Sequence, residues 1–183
     1  MSKRIYVDSL SRASRVRRFV WEVFWMIFFW PTPRWFLNSW RILLLRLFGA
    51  KIGEGCRVAP SCRIWAPWNL CLGDRTALAE GVECYSVDRI DIGSNVCVSQ
   101  RAFLCTASHS IHTLQRPLTH RPIVIKDHAW VCAEAFVGPG VIVGEGAVIA
   151  ARAVAVRDVT EWEVVGGNPA RVIKKRKISN EIK

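Results

Sequence analysis

Three of the four histidines in this 183-residue chain fall in one stretch, SHSIHTLQRPLTHRPI, at residues 108–123. An imidazole can take or give a proton near neutrality. Placed beside a hydroxyl, such a group removes the hydroxyl proton as attack occurs and contributes about 10²–10⁴-fold. His109, His112 and His120, with Cys105 nearby, are also zinc-ligand types. Zinc sites usually bring paired ligands from two ends, and nothing pairs with this cluster, so no metal is expected. Cys105 or Cys132 could carry an acyl group only with a lowered thiol pKa. Both fall where a repeat asks for a small residue, which accounts for them without chemistry.

That repeat must position any such group. Aliphatic residues recur every six positions at Ile52, Val58 and Ile64, then at Leu72 and Leu78 with Cys84 in the next slot. They resume at Ile92, Val98 and Leu104, and again at Ile125, Val131, Val137, Val143 and Ile149. The next position is often small, as is the fifth. A period of six fits neither 3.6 nor simple alternation. It fits short strands and tight corners stacked as a parallel β-helix, with one inward aliphatic per side. Two residues are added before Leu72, two before Ile92 and residues 110–124 before Ile125, each after a third side. A coil is therefore triangular, about 18 residues long, and all extrusions leave one corner. His109 is the last residue before the largest departs. His128 lies in a hexad and is expected to face outward, while His112 and His120 ride on the extruded loop as solvated or acceptor-contacting groups.

The net charge is +11, but residues 1–50 hold +7 and residues 171–183 hold +5, leaving the body at −1. A groove-type nucleic-acid binder would spread its charge over the folded body, so no nucleic acid is expected. Basic ends suit local anionic partners such as a membrane surface and a phosphate-bearing ligand. Seven cysteines without a CxxC pair read as reduced core fillers of a cytoplasmic protein. The run Val23–Trp30 is far shorter than the ~20 residues of a membrane span and lacks a signal-peptide cleavage site.

Three segments follow: 1–50, basic, Trp-rich and helical; 51–160, the β-helix with its loop 110–124; and 161–183, a basic extension. The first reads as two short helices broken at Pro31–Pro33. Its tryptophans and arginines across residues 15–48 suit the inner face of a membrane, and the same helices are placed to plug the open end of the β-helix.

PIVIKDHAWVCAEAFVGPGVIVGEGAVIAARAVAVRDV, followed by VVGGNPARVIKKR, resembles the C-terminal signature of the hexapeptide-repeat sugar O-acetyltransferases. WRILLLRLFGAKIG and FLCTASHSIH are closer still to the colanic acid biosynthesis acetyltransferases. The resemblance implies an all-β, left-handed parallel β-helix with a short N-terminal helical segment, forming a homotrimer with sites between subunits. It implies transfer of acetyl from acetyl-CoA to a sugar hydroxyl, in exopolysaccharide or other surface-glycan synthesis, with a lipid-linked sugar among the acceptors. His109 aligns with the family's catalytic base, and the Ala133 N–H with its oxyanion donor. Trp130 matches a tryptophan at the acceptor and pantetheine end, and packing of the loop's return is its other reading. Ala133, Ala151, Val156, Arg157, Arg171 and Lys174 match cofactor contacts, the cations suiting phosphates. The family's N-terminal acidic residue has no counterpart, its acceptor-binding Asn falls near Ala79, and no carboxylate to orient His109 is identifiable. An acetyltransferase of the serine type, or a non-enzymatic or carbonic-anhydrase-like β-helix, are the other readings.

Overall fold

The structure is a computed structural model, and it describes residues 11–178. The chain opens with α1 (Arg12–Phe24), capped by Ser11, whose hydroxyl accepts from the Ser14 amide. A π-helical turn follows at Trp25–Phe29. Pro31 and Pro33 break the path, as the sequence implies, before α2 (Asn38–Leu47).

The rest winds as a three-sided parallel solenoid. The first coil holds β1 (Lys51–Ile52), β2 (Arg57–Val58) and β3 (Arg63–Ile64). The second holds β4 (Leu70–Leu72), β5 (Ala77–Leu78) and β6 (Glu83–Tyr85). The third holds β7 (Ile90–Ile92), β8 (Cys97–Val98) and β9 (Phe103–Cys105). A hairpin of β10 (Ala107–His109) and β11 (Leu118–His120) then leaves the solenoid. The fourth coil holds β12 (Ile123–Ile125), β13 (Trp130–Val131) and β14 (Phe136–Val137). The fifth holds β15 (Ile142–Val143), β16 (Val148–Ile149) and β17 (Val154–Ala155). A partial sixth adds β18 (Glu163–Gly166), on which β19 (Arg171–Lys175) folds back antiparallel.

Corresponding strands stack into three sheets, in the order β1-β4-β7-β12-β15 (sheet A), β2-β5-β8-β13-β16-β18-β19 (sheet B) and β3-β6-β9-β14-β17 (sheet C). The register puts each expected hexad residue over its predecessor: Ile52 on Leu72, Val58 on Leu78, Leu104 on Val137. These side chains are buried and form one core. Close stacking explains the small residues. A Cβ at Gly73 would come within 2.6 Å of the Ser94 backbone in the next coil.

All three extrusions leave the corner between sheets C and A, as the hexad count implies. The largest leaves earlier than that count places it. β9 ends at Cys105, the Arg121 amide donates to the Thr106 carbonyl, and His109 lies within the hairpin rather than in the coil. The protruding segment is thus 106–122 rather than 110–124. Residues 107–109 find strand partners in 118–120.

At the other end, α1 and α2 cover the first coil. The Trp21 and Trp25 indoles donate to the carbonyls of Ile64 and Cys62, 2.6 and 2.9 Å away. Arg41 is buried and donates to the Val58 carbonyl (2.8 Å) and the Thr32 hydroxyl (2.9 Å). These bonds satisfy groups at an end that has no further coil to pair with.

Candidate active site

His109 ends β10 and stands exposed in a recess of about 340 Å³ shared with Ser110, His112, Thr119, His120 and Pro139. Its Nδ1 lies 2.7 Å from the Arg116 carbonyl across the hairpin. A carbonyl only accepts, so Nδ1 carries the proton and Nε2 keeps the lone pair. A backbone carbonyl thus does the orienting for which the sequence offers no carboxylate.

His120 stands beside it on β11, exposed and tied to the neighbouring extrusion. Its Nδ1 lies 2.7 Å from the Asp88 carboxylate, in the extrusion one coil earlier. Burial alone would raise the Asp88 carboxyl, but hydrogen bonds from His120 and the Arg89 amide more than offset this and hold it below the usual range. The contact clasps two extrusions of one corner together and fixes the base of the hairpin. His112 lines the same recess. His128 faces outward at a corner with φ 61°.

Ala133 lies at the corner between sheets B and C, two residues beyond the inward Val131. The same register position holds Pro60, Glu80, Gln100 and Ala151 in the other coils. In three coils the following amide bonds the corner one coil earlier, Arg101 to the Glu80 carbonyl, Glu134 to Gln100 and Arg152 to Ala133, each at 2.9 Å, while Gly81 donates to the Ser61 hydroxyl. The amides of Glu80, Gln100, Ala133 and Ala151 themselves meet no acceptor among the described residues.

The corner between sheets A and B differs at the equivalent position. There the Glu54, Asp74 and Ser94 amides donate to Asp74 Oδ1 (2.8 Å), Ser94 Oγ (3.0 Å) and Asp127 Oδ1 (2.8 Å) of the next coil. In its first three coils that corner is closed by side chains, whereas the corner between sheets B and C presents a column of open N–H donors of the kind that receives a carbonyl, an oxyanion or an amide-bearing ligand.

Beside that column stand Arg101, Glu134 and Arg152, all at positive φ. Glu134 bridges both arginines, and their hydrogen bonds, Arg152 first, hold its carboxyl below the ordinary range. Two cations against one carboxylate leave this corner positive. The hexad reading did not single out these three; the corner register that joins them is visible only once the 106–122 segment is set aside.

Below Ala133 the same corner opens into a groove of about 550 Å³ between the Arg34–Asn38 segment and sheet B. Ala77, Ala79, Glu80, Gln100 and Arg57 line it. Arg34 pairs with Glu80 at 2.7 Å. Trp35, 86% exposed, offers an open ring at its edge.

Trp130 lies on sheet B, with its indole donating to Ser99 Oγ at 2.8 Å. Val156 and Arg157 are exposed just after β17, at the corner between sheets C and A. Arg171 and Lys174 lie exposed on β19, so this basic segment is a paired strand for its first residues rather than a free tail. The turn before it docks on sheet C, with the Ala170 amide donating to the Val154 carbonyl at 2.9 Å.

The expected site residues therefore divide. Ala133 and Ala151 lie at one edge of sheet C; His109, Val156 and Arg157 lie at the other. Five residues separate Ala133 from Gly138, roughly 16 Å at strand rise. One chain does not bring His109 and Ala133 together.

The cysteines are poor nucleophile candidates. All seven are free. Burial raises the Cys105 and Cys132 thiols and pushes Cys84 up to about 12, which disfavours the thiolate. Among the described residues no three His, Cys, Asp or Glu side chains are grouped to hold a metal, and no helix is long and apolar enough to cross a membrane.

No protein-family model matches the chain. A curated relative of Escherichia coli K12, named as the colanic acid biosynthesis acetyltransferase WcaF, is 40% identical over 156 residues, 85% of either chain. A hexapeptide-repeat acetyltransferase of Vibrio cholerae, solved with acetyl coenzyme A, superposes with a TM-score of 0.83 at 25% identity over 93% of both chains. A maltose O-acetyltransferase of Clostridium difficile 630 superposes with a TM-score of 0.79 at 25% identity, covering 92% of this chain and 90% of its own.

Proposed function

The chain belongs to the hexapeptide-repeat acetyltransferases and carries out acetyl-CoA-dependent acetyl transfer, and from that premise we propose that its acceptor is a sugar hydroxyl, acetylated at a centre assembled from two chains. The observation that carries this reading is the division of the site across sheet C. In a closed ring of three copies, the corner of one chain that bears Ala133 meets the hairpin corner of the next. His109, Ala133 and the split set of cofactor residues then converge three times.

The face between those two corners turns toward the threefold axis. It carries a half-buried aromatic column: Trp65, Tyr85, Phe103 and Phe136 follow one another at ring-centroid distances of 5.5, 6.3 and 5.6 Å. Aromatic rings are the side chains most favoured at the buried centre of an interface. They also explain why the small-residue pattern fails at Trp65 and Tyr85.

In this reading the acetyl thioester lies along the open N–H column. The Ala151 amide meets the pantetheine arm, Trp130 flanks its reactive end, and Arg157, Arg171 and Lys174 meet the phosphates. The sugar sits in the groove below, where Glu80, Gln100 and Arg34 offer hydrogen bonds and Trp35 a stacking face. Alanines at 77 and 79 leave this groove wide, and its mouth lies beside the N-terminal helices, a placement that favours a lipid-linked saccharide.

The hydroxyl oxygen attacks the thioester carbon while its proton passes to His109 Nε2. The carbonyl oxygen becomes an oxyanion and accepts from the Ala133 N–H. Collapse breaks the C–S bond, and the imidazolium returns its proton to the departing thiolate of coenzyme A.

His109→Ala is expected to lower kcat by about 10²–10⁴ while coenzyme A binding is kept. Near-normal turnover would remove His109 from the mechanism. Transfer to small amino acids in preference to saccharides, in a panel with labelled acetyl-CoA, would replace the sugar reading with the serine-type one.

A further inference from the structure

The N-terminal helices carry two apolar faces, and only one is used. Trp21, Phe29, Ile42, Leu44 and Leu45 are buried against the first coil. The opposite face is bare. Fourteen of the 22 large hydrophobic side chains exposed among the described residues fall between Val16 and Leu47. On α2 and the segment before it, Phe36, Trp40, Leu43 and Leu47 recur at spacings of four, three and four and form one stripe. The Trp40 indole donates to the Phe28 carbonyl at 2.9 Å, joining this stripe to the exposed Ile27 and Phe28 of the π-helical turn.

Since α2 buries its other face on the first coil, this surface points out of the end of the solenoid. In the trimer proposed above, neighbours meet the flanks of sheet C, and a neighbour at a flank does not cover an end face.

Among the described residues, the exposed charge on these helices is mostly of one sign. Arg12, Arg15 and Arg46 are exposed on this segment, while Arg34 turns to Glu80 in the groove. Its one acidic residue among those described, Glu22, is paired with Arg63 of the solenoid at 2.7 Å. An apolar face with exposed tryptophan and a rim of arginine matches a bilayer whose headgroups are anionic. The helices are too short to cross it.

We propose that residues 15–48 dock this protein on an anionic lipid surface, lying in the interface with the stripe of α2 and the π-helical turn against the acyl boundary. With parallel solenoids, three such faces meet one membrane plane together, and their weak individual contacts multiply. This inference does not depend on the acetyl-transfer chemistry.

The test is sedimentation of the full chain with vesicles of phosphatidylcholine alone and of phosphatidylcholine with about one third phosphatidylglycerol. The wild type is expected to sediment with the anionic vesicles, to do so less at high salt, and to stay largely in solution with the neutral ones. A triple variant, Ile27→Glu with Leu43→Glu and Leu47→Glu, is expected to lose at least about tenfold in partitioning. It should keep its mass in solution and its thermal shift with coenzyme A, which shows that the fold and the nucleotide site survive. Three results would overturn the proposal: wild type that ignores anionic vesicles, a variant that sediments equally, or wild-type trimers that pair end to end and are separated by the triple variant. Loss of the coenzyme A shift in the wild type would instead count against the enzymatic reading and leave the vesicle result standing.

Discussion

Replacing Ala133 by proline removes one atom that the proposed chemistry needs and that the fold does not. The Ala133 amide has no acceptor among the described residues, so its loss breaks no hydrogen bond of the coil. The neighbouring Cys132 and Glu134 amides keep theirs, to Ile149 and Gln100 at 2.9 Å each. Proline already occupies this corner in the first coil, where Pro60 stands in register with Glu80, Gln100 and Ala133. Glu134 at φ 59° marks a turn whose preceding position commonly accepts proline, and proline also lowers the entropy of the unfolded chain, so stability should hold or rise by about 0.4–1 kcal/mol. Loss of a single oxyanion donor costs about 2.7–4 kcal/mol of transition-state stabilisation, about 10²–10³ in kcat. Turnover is read as release of the coenzyme A thiol with a saccharide acceptor, beside a thermal melt of the same preparation. Ala133→Ser keeps the amide and should stay close to wild type. An Ala133→Pro enzyme that melts normally and turns over within about threefold of wild type would refute the assignment of this amide.

Further outcomes follow from the same geometry. Leu104 is fully buried in sheet C beneath Val137, so Leu104→Ala should cost about 2–5 kcal/mol, seen as a lowered unfolding midpoint. The Asp88 carboxyl is held below its usual range, so its share of stability is present above the unfolded value of about 3.9 and is lost as pH falls through the folded value. The melting temperatures of wild type and Asp88→Asn should therefore differ near neutrality and converge in acid; a gap that persists in acid would show that the carboxylate's charge is not what matters. Cys105→Ala and Cys132→Ala should keep turnover within a few-fold, because burial keeps both thiols protonated; a loss of the size expected for His109→Ala would revive an acyl-cysteine route.

The hexad period, the triangular section and the single corner of extrusion were readable because each inward slot demands an aliphatic side chain and each insertion shifts that demand by a visible step. The departure point of the hairpin was not readable, since Ala107–His109 follows the third coil without a break in the pattern and its true partner, Leu118–His120, lies outside any hexad. Nor could the sequence reveal what orients His109, because the acceptor is the backbone of Arg116 and any residue there has a carbonyl. The open N–H column was half legible. Asp74, Ser94 and Asp127 are recognisable capping types at one corner, but Glu80 at the other is equally capable of capping and instead turns to Arg34. The separation of His109 from Ala133 belongs to the topology. A hexad count gives each residue its side, and only the folded coil shows that the two sides face different neighbours.

Mixed trimers test the two-chain centre most directly. His109→Ala and Ala133→Pro chains, each inactive alone, are unfolded together in equal amounts and refolded. A centre built from one chain's corner and the next chain's hairpin regains an intact donor and an intact base at about one quarter of the interfaces, so activity should return to about a quarter of wild type. A mixture as inactive as its two components, with trimers formed and coenzyme A bound, would place base and donor in the same chain and contradict the assembly described above.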